Sequence, residues 1–209
     1  MTFVAQDVPD YIARFVRVQA PGRAWGVAGY SEGGYCAANI ALQEPDRYGA
    51  AGVMSGYFVP IQSQVPKGNR PGGKPYLTNV FAGQPALQFI NTPKAYLAKV
   101  PIGVQLPAFW FAAGAQDTAD ISTAASFRQQ LQARELLQPR LPPAPFTIVQ
   151  GGHQGSVWRA ALDPMLAWMT PQLAAQAAAA DAAAARAAAQ SKAHPAKSAT
   201  APPVAPPKK

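Results

Sequence analysis

Four short apolar segments alternate with helix-forming segments along this 209-residue chain, and the alternation limits the folds open to it more than any other feature. Each segment is apolar throughout rather than at every second position, which is typical of strands buried on both faces. Between them, apolar residues recur at helical spacing. The pattern predicts an α/β fold with a parallel sheet of about four strands and helices on both faces. The predicted strands cover residues 23–28, 49–54, 107–113 and 145–149, and the predicted helices about 8–19, 32–43, 123–136 and 156–169.

All of these predicted strands lie within residues 1–170, which we expect to form one domain. Within it, the stretch 57–106 is long and rich in Gly and Pro. Only one short helix is predicted there, from Pro93 to about Lys99. We call residues 57–106 the insert. Because a loop of this length inside a compact domain is usually functional, we expect the insert to shape a pocket.

The C-terminal residues differ in composition from this domain. The Ala-rich composition of residues 171–190 predicts a separate helix that starts at Thr170-Pro171. The mixture of Ala, Pro and Lys in residues 191–209 predicts a disordered tail. Half of the net charge of +8 lies beyond Thr170. The remaining charges are scattered, and no basic stripe is interleaved with aromatic residues, so we expect no nucleic-acid partner.

Three absences narrow the class of protein further. No apolar run approaches the length of about 18 residues that a membrane span needs, so we expect no span in this chain. No basic segment followed by an apolar one opens the chain, which leaves its localisation undetermined. Cys36 is the only cysteine, which excludes an internal disulfide framework and a cysteine-rich metal site. We expect Cys36 to be a small buried apolar residue of its helix.

The segment Gly29-Tyr30-Ser31-Glu32-Gly33 lies where the first predicted strand must turn into a helix. It matches the G-x-S-x-G pattern of a nucleophile elbow, in which a sharp, strained turn lifts a serine hydroxyl to the carboxyl end of a sheet. Both glycines are expected to lack side chains so that strand and helix can pass closely. Ser31 is therefore the candidate nucleophile. The backbone amide of Glu32, which opens the helix, is a candidate donor to a developing oxyanion.

His153 is the candidate base for this serine. A serine hydroxyl needs a neighbouring base to become nucleophilic near neutral pH, and the chain has two histidines. His194 lies in the tail that we expect to be disordered. His153 follows the last predicted strand on a glycine-flanked loop, where it can face the carboxyl end of the sheet.

The acid that orients this histidine is expected after the third strand, because the order Ser, acid, His along the chain is that of α/β-hydrolases. Asp117 and Asp120 both lie there. We favour Asp117, which is closer to the strand end, and keep Asp120 as the alternative. The carboxylate that is not used is expected to cap a helix near residues 121–123.

The segment GRAWGVAGYSEGGYCAANIALQEPDRYGAAGVMSGYF resembles the elbow region of the Putative esterase family, which includes esterase D, feruloyl esterases and mycolyltransferases. GGHQGSVWR is similar to the histidine loop of that family, and TFVAQDVPDYIARFVRV to the helix before its elbow strand. The resemblance spans about residues 2–170. It implies an α/β-hydrolase fold, ester hydrolysis or acyl transfer without a cofactor, and Ser31, Asp117 and His153 as a catalytic triad. We expect a small-molecule or glycan-linked ester as substrate and no metal.

The family places several strands before this region, including the loop that supplies a second oxyanion amide. We therefore expect a partial α/β-hydrolase fold in which the first strand has an exposed edge. Such a chain is expected to be weakly active by itself and to oligomerise through that edge. If an N-terminal segment is missing, a secreted or cell-envelope protein is expected. The alternative function is a non-catalytic or truncated hydrolase-fold binding module associated with the cell envelope.

Overall fold

The computed structural model describes residues 3–59, 81, 83–137 and 143–193, with side chains described up to residue 190. Residues 60–80 and 82 of the expected insert and residues 194–209 of the expected tail lie outside these described residues. After a π-helical turn at Phe3–Asp7, the elements in chain order are α1 (Val8–Phe15), β1 (Gly26–Tyr30), α2 (Glu32–Gln43), β2 (Ala50–Met54), α3 (Pro85–Ile90), α4 (Pro93–Leu97), β3 (Ala108–Gly114), α5 (Thr118–Glu135), β4 (Phe146–Val149) and α6 (Gly155–Ala193).

The four strands form one parallel sheet in the order β1-β2-β3-β4, which confirms the predicted α/β class. Gly26 lies opposite Ala50, and Ala50 lies opposite Ala108, so the carboxyl ends of the strands are aligned at one edge of the sheet. Strand β1 begins three residues later than predicted, because a turn closed by the Trp25 amide and the Gly22 carbonyl comes before it. Within the described part of the chain, β1 pairs with β2 alone and lies at the sheet edge.

Helices cover both faces of the sheet, as predicted. Successive side chains of β3 point to opposite faces. Phe109 and Phe111 pack in a core with residues of α2 and α5, whereas Trp110 packs in a second core with residues of α6. All three side chains are at most 2% exposed. Strand residues that are apolar at every position therefore serve two cores, which explains why the strands do not alternate in hydropathy.

Helix α6 runs from Gly155 to Ala193 without a break, whereas we predicted two helices that meet at Thr170-Pro171. A proline inside a helix removes one backbone hydrogen bond. Here Met169 and Leu173 flank Pro171 and pack against the sheet, which holds the helix together across it. From Ala178 to Gln190 the helix is exposed. Neither α6 nor any other described helix combines the length and hydropathy needed to cross a bilayer.

Several exposures differ from those predicted. Helix α1 ends at Phe15 rather than near residue 19. Its Tyr11 and Phe15 side chains are 65% and 66% exposed, so the apolar spacing of this helix does not correspond to a buried face among the described residues. Cys36, predicted to be buried, is exposed. In the insert, α4 begins at Pro93 as predicted, but α3 was not predicted although Pro85 occupies its first turn.

Candidate active site

Ser31 occupies a strained turn between β1 and α2. Its backbone has φ 54° and ψ −124°, a conformation that residues other than glycine rarely adopt. The turn is held to the neighbouring strand, because the Ser31 amide donates a hydrogen bond of 2.9 Å to the Met54 carbonyl. The strained backbone projects the hydroxyl at the carboxyl end of the sheet, which is the geometry expected from the elbow pattern.

The two glycines of the elbow are not equivalent. A Cβ on Gly29 would lie 2.3 Å from both the carbonyl carbon and the carbonyl oxygen of Gly33, so strand and helix can pass only if residue 29 has no side chain. A Cβ on Gly33 would have nothing within 4 Å. Our expectation that both positions need glycine is therefore wrong for Gly33. The carbonyl group of Gly33 lies close to Gly29, but a side chain at position 33 would point into open space.

His153 lies after β4 with its two ring nitrogens facing different partners. Its Nε2 is 2.8 Å from the Ser31 hydroxyl oxygen. Trp158 contacts the imidazole edge-on, with ring centroids 5.3 Å apart. Tyr30 in turn stacks on Trp158, with ring centroids 4.1 Å apart. The imidazole is thus braced by the first turn of α6 while its Nε2 side stays directed at Ser31.

The loops after β3 and β4 hold each other in place. The Ala115 amide donates to the Val149 carbonyl at 2.7 Å, and the Gln116 amide donates to the Gly151 carbonyl at 2.9 Å. A Cβ on Gly114 would lie 2.5 Å from the carbonyl oxygens of both Gly151 and Gly152. This close backbone contact brings the residues after Gly114 next to the histidine loop.

Asp117 and Asp120 both reach the Nδ1 atom of His153. The distances from this nitrogen are 3.1 Å to Asp117 Oδ2 and 2.8 Å to Asp120 Oδ2. Helix α5 begins at Thr118, five residues before the predicted start at Thr123. Its cap is Asp117, whose Oδ1 accepts a hydrogen bond from the Asp120 amide at 3.1 Å. The favoured acid therefore also caps the helix, and the alternative acid lies closer to the histidine.

The two carboxyl groups differ in charge preference. Burial raises the pKa of Asp120 to about 6. The hydrogen bond with His153 acts to lower this pKa, whereas the nearby Asp117 carboxylate acts to raise it. Partial burial also acts to raise the pKa of Asp117, but hydrogen bonds from the Asp120 amide, from the Asp120 side chain and from His153 outweigh it and lower the pKa. Asp117 is thus the group that keeps its charge most easily.

We expect Asp120→Asn to stabilise the fold above pH 6. The folded-state pKa of Asp120 is raised from 3.8 to about 6, so its ionised form opposes folding above that range. A rise of about two pKa units corresponds to at most about 3 kcal/mol. The melting temperature of Asp120→Asn should exceed that of the unchanged chain at pH 8, and the difference should shrink as the pH falls towards 4.

The matched control for this measurement is Asp117→Asn. Because the pKa of Asp117 is lowered in the fold, its ionised form contributes stability above its ordinary pKa, and this contribution is lost as the pH falls. Asp117→Asn should therefore not raise the melting temperature at pH 8. Equal melting temperatures for Asp120→Asn and the unchanged chain at pH 8 would contradict the assigned charge states.

Glu32 offers two groups next to the nucleophile. It is the first residue of α2, so its amide belongs to the helix-end donors that have no partner within the helix. Its side chain accepts a hydrogen bond from the Tyr57 hydroxyl, and Tyr57 stacks on Tyr35 with ring centroids 4.7 Å apart. Burial and this hydrogen bond raise the pKa of Tyr57, which keeps the phenol protonated. Sequence reasoning missed Tyr57, because only the fold brings the end of β2 beside α2.

The same histidine and carboxylates have the spacing of a metal site. His153 Nδ1 and one oxygen each from Asp117 and Asp120 lie within 4.8 Å of one another. However, Nδ1 is within hydrogen-bonding distance of both carboxylates while Nε2 faces Ser31. These contacts form a chain of hydrogen bonds from Ser31 through the imidazole to the carboxylates, and the absence of a metal requirement stays a prediction.

Comparison with known proteins places these residues in a family context. A family model described as "Putative esterase" matches residues 1–169. An uncharacterized protein of Corynebacterium glutamicum is 28% identical over 173 residues, which cover 81% of this chain and 37% of that protein. The MPT51 antigen of Mycobacterium leprae is 39% identical over 59 residues, which are 28% of this chain and 19% of that protein.

Two solved structures share the fold. One is a ferulic acid esterase, with a TM-score of 0.62 and 23% identity over 82% of this chain and 60% of that chain. The other is the fluorophosphonate-binding serine hydrolase F of Staphylococcus aureus, with a TM-score of 0.61 and 22% identity over 78% of this chain and 61% of that chain. This chain therefore spans less than two thirds of the length of each of these four proteins, and little more than a third of the Corynebacterium glutamicum protein.

Proposed function

Because this chain belongs to the Putative esterase family, we propose that it cleaves or transfers the acyl group of a carboxylic ester through an acyl-serine intermediate. The observation that carries the proposal is a continuous line of contacts. Ser31 Oγ lies 2.8 Å from His153 Nε2, and carboxylate oxygens lie 2.8 and 3.1 Å from Nδ1 of the same ring. This is the order in which a serine, its base and an acid must be connected.

The proposed reaction begins when Ser31 Oγ attacks the ester carbonyl carbon and His153 Nε2 takes the hydroxyl proton. The carbonyl oxygen becomes an oxyanion, towards which the Glu32 amide can donate a hydrogen bond. Collapse of the tetrahedral intermediate breaks the bond to the alcohol oxygen, and His153 returns its proton to the leaving alcohol. An acyl group is then left as an ester on Ser31.

In the second half, water or an acceptor alcohol attacks the acyl-serine carbonyl. His153 removes a proton from the attacking oxygen and afterwards returns it to Ser31 Oγ. Water yields a carboxylic acid, and an alcohol yields a new ester. Every bond and proton is balanced by the ester, the acceptor and these side chains, so the proposed chemistry uses no cofactor.

We propose Asp117 as the acid of this triad. Its lowered pKa keeps the carboxylate charged at neutral pH, where it can stabilise the imidazolium that forms during catalysis. Its second function as the cap of α5 fixes the carboxylate relative to β3. The proposed substrate is a small-molecule or glycan-linked ester.

The proposal is tested by trapping the acyl-enzyme. The chain is mixed with p-nitrophenyl acetate, quenched in acid, and digested for mass spectrometry. We expect a burst of p-nitrophenol of up to one equivalent and an acetyl group on the peptide that contains Ser31. His153→Gln should lose the burst, because the serine is then no longer activated.

Acetylation confined to lysine residues, or a burst of equal size in His153→Gln, would refute the proposal. That outcome would favour a hydrolase-fold binding module without catalysis. Circular dichroism of His153→Gln provides the control for folding, since the imidazole is 41% exposed and its replacement leaves the core untouched.

A further inference from the structure

Two carboxylates converge on one ring nitrogen, although a serine triad needs a single acid. Asp120 Oδ2 lies 2.8 Å from His153 Nδ1, and Asp117 Oδ2 lies 3.1 Å from the same atom. A neutral imidazole that accepts the Ser31 proton at Nε2 carries its own proton at Nδ1. This proton lies within reach of both carboxylates.

We propose that Asp120 is a second acid, so that Asp117 and Asp120 share the Nδ1 proton of His153 and act as one unit in orienting the ring and stabilising its cation. This inference rests on the proposed function of Ser31 and His153. It extends that function, because it assigns a task to a carboxylate that the triad alone does not require.

The environment of Asp120 supports this assignment. Its side chain is 4% exposed, compared with 16% for Asp117. A carboxylate buried to this degree persists only when it is paired or hydrogen-bonded. The titratable groups that interact with Asp120 within the described residues are Asp117 and His153. No described lysine or arginine accounts for its burial, so the histidine is its cationic partner when the ring is protonated.

The local backbone explains why the two carboxylates reach the same atom. Asp117 is the N-cap of α5 and Asp120 is the third residue of that helix. The Asp120 amide donates to Asp117 Oδ1, which leaves Asp117 Oδ2 free to face the imidazole. Both acids also lie at the helix N-terminus, where the partial positive charge of the first turn stabilises negative groups.

Sharing has a consequence for the pH dependence of turnover. Burial and the Asp117 carboxylate raise the pKa of Asp120 to about 6, so Asp120 loses its proton as the pH rises through this range. Above this range, both carboxylates that face Nδ1 of His153 are negatively charged. If Asp120 must be ionised for full turnover, its titration forms part of the acid limb of the kcat/KM profile, and Asp120→Asn changes that limb.

A double-mutant cycle tests the proposal. Asp117→Asn, Asp120→Asn and the double variant are compared by kcat and kcat/KM for p-nitrophenyl acetate between pH 5 and 9. If either carboxylate can serve, each single variant should lose no more than about 10-fold to 100-fold in kcat at pH 8. The double variant should approach the loss of about 10⁴-fold in kcat that a triad without its acid shows, which is more than the product of the single losses when each of them stays near 10-fold.

Two results would overturn the sharing. If kcat falls about 10⁴-fold in Asp117→Asn alone, and Asp120→Asn changes neither kcat nor the acid limb of the kcat/KM profile, Asp120 has only a structural role. If Asp120→Asn alone shows the full loss and Asp117→Asn is silent, Asp120 is the sole acid. Asparagine matches aspartate in shape and retains the capping oxygen at position 117, so thermal melting should show folded variants.

A second readout does not depend on turnover. The chain has two histidines, so His194→Gln leaves the ring of His153 as the only imidazole in a nitrogen-15 NMR spectrum. The Nδ1 proton should resonate downfield, and both single Asn variants should move it upfield. Movement in only one variant would overturn the sharing even if the chain hydrolyses no ester. Conversely, movement in both variants without acetylation of Ser31 would separate failure of the proposed function from failure of this inference.

Discussion

Ser31→Ala should abolish burst and turnover with p-nitrophenyl acetate, with a loss of about 10⁴–10⁶-fold in kcat. The reason is that the hydroxyl forms the covalent bond in the proposed mechanism, and no neighbouring group can replace it. Labelling by a fluorophosphonate probe should disappear together with turnover, because the probe reacts with an activated serine. Both measurements report on the same oxygen atom through different chemistry.

The control for this prediction is Ser122→Ala, which removes an exposed serine from α5 by the same substitution. It should retain labelling and turnover. Ser31→Ala itself should melt at nearly the same temperature as the unchanged chain, since the contact that the structure gives its hydroxyl is the one with His153. Undiminished labelling of Ser31→Ala would reject Ser31 as nucleophile and leave the elbow as a structural turn.

Gly29→Ala should destabilise the domain by at least about 2–3 kcal/mol. The new methyl group would lie 2.3 Å from the carbonyl group of Gly33, and no flexible side chain is present there to move aside. Strand β1 and helix α2 must then separate, which also displaces Ser31 from His153. A displacement of about 1 Å in a catalytic group can cost about 10²-fold in rate, so activity should fall even in the fraction that remains folded.

Gly33→Ala is the matched control from the same motif. Its added methyl group would meet nothing within 4 Å, and it replaces a glycine inside α2. We expect it to stabilise the helix by about 0.5–1 kcal/mol. Urea unfolding of the two variants measures the difference directly. Equal destabilisation at both positions would show that the elbow requires glycine for a reason other than the observed close approach.

The covalent chemistry proposed for this chain thus depends on backbone geometry at two places. At the elbow, Gly29 permits the turn that presents Ser31. Behind the histidine loop, a side chain on Gly114 would collide with the Gly151 and Gly152 carbonyls. Both glycines lie at the carboxyl ends of strands, where the loops that carry the reactive side chains converge. The sheet supplies the alignment, and these close contacts bring the loops within hydrogen-bonding distance.

Much of this arrangement was predictable from the chain alone. The four strands and the helices between them follow from local hydropathy, because strand and helix patterns have different periods. Burial on both faces, predicted for all four strands, holds for the central β2 and β3 but not for β1 and β4 at the edges of the described sheet. The start and end of α2 were predicted to the residue, since the elbow and Pro45 define them. Ser31 and His153 were predicted as partners because the motif places the serine at a strand end and only one histidine follows a strand. The structure brings these two residues to 2.8 Å.

Other features were decided only by the tertiary structure. The spacing of Asp117 and Asp120 could have indicated an N-cap and a third helical residue, but their common distance from His153 depends on loops 33 to 36 residues apart. The contact between Tyr57 and Glu32, the unequal roles of Gly29 and Gly33, and the continuity of α6 through Pro171 likewise depend on distances between segments that are remote in sequence. Local patterns determine which elements form and which residues are chemically suited to a site. The packing of those elements brings both carboxylates to the imidazole and decides which glycine has no room for a side chain.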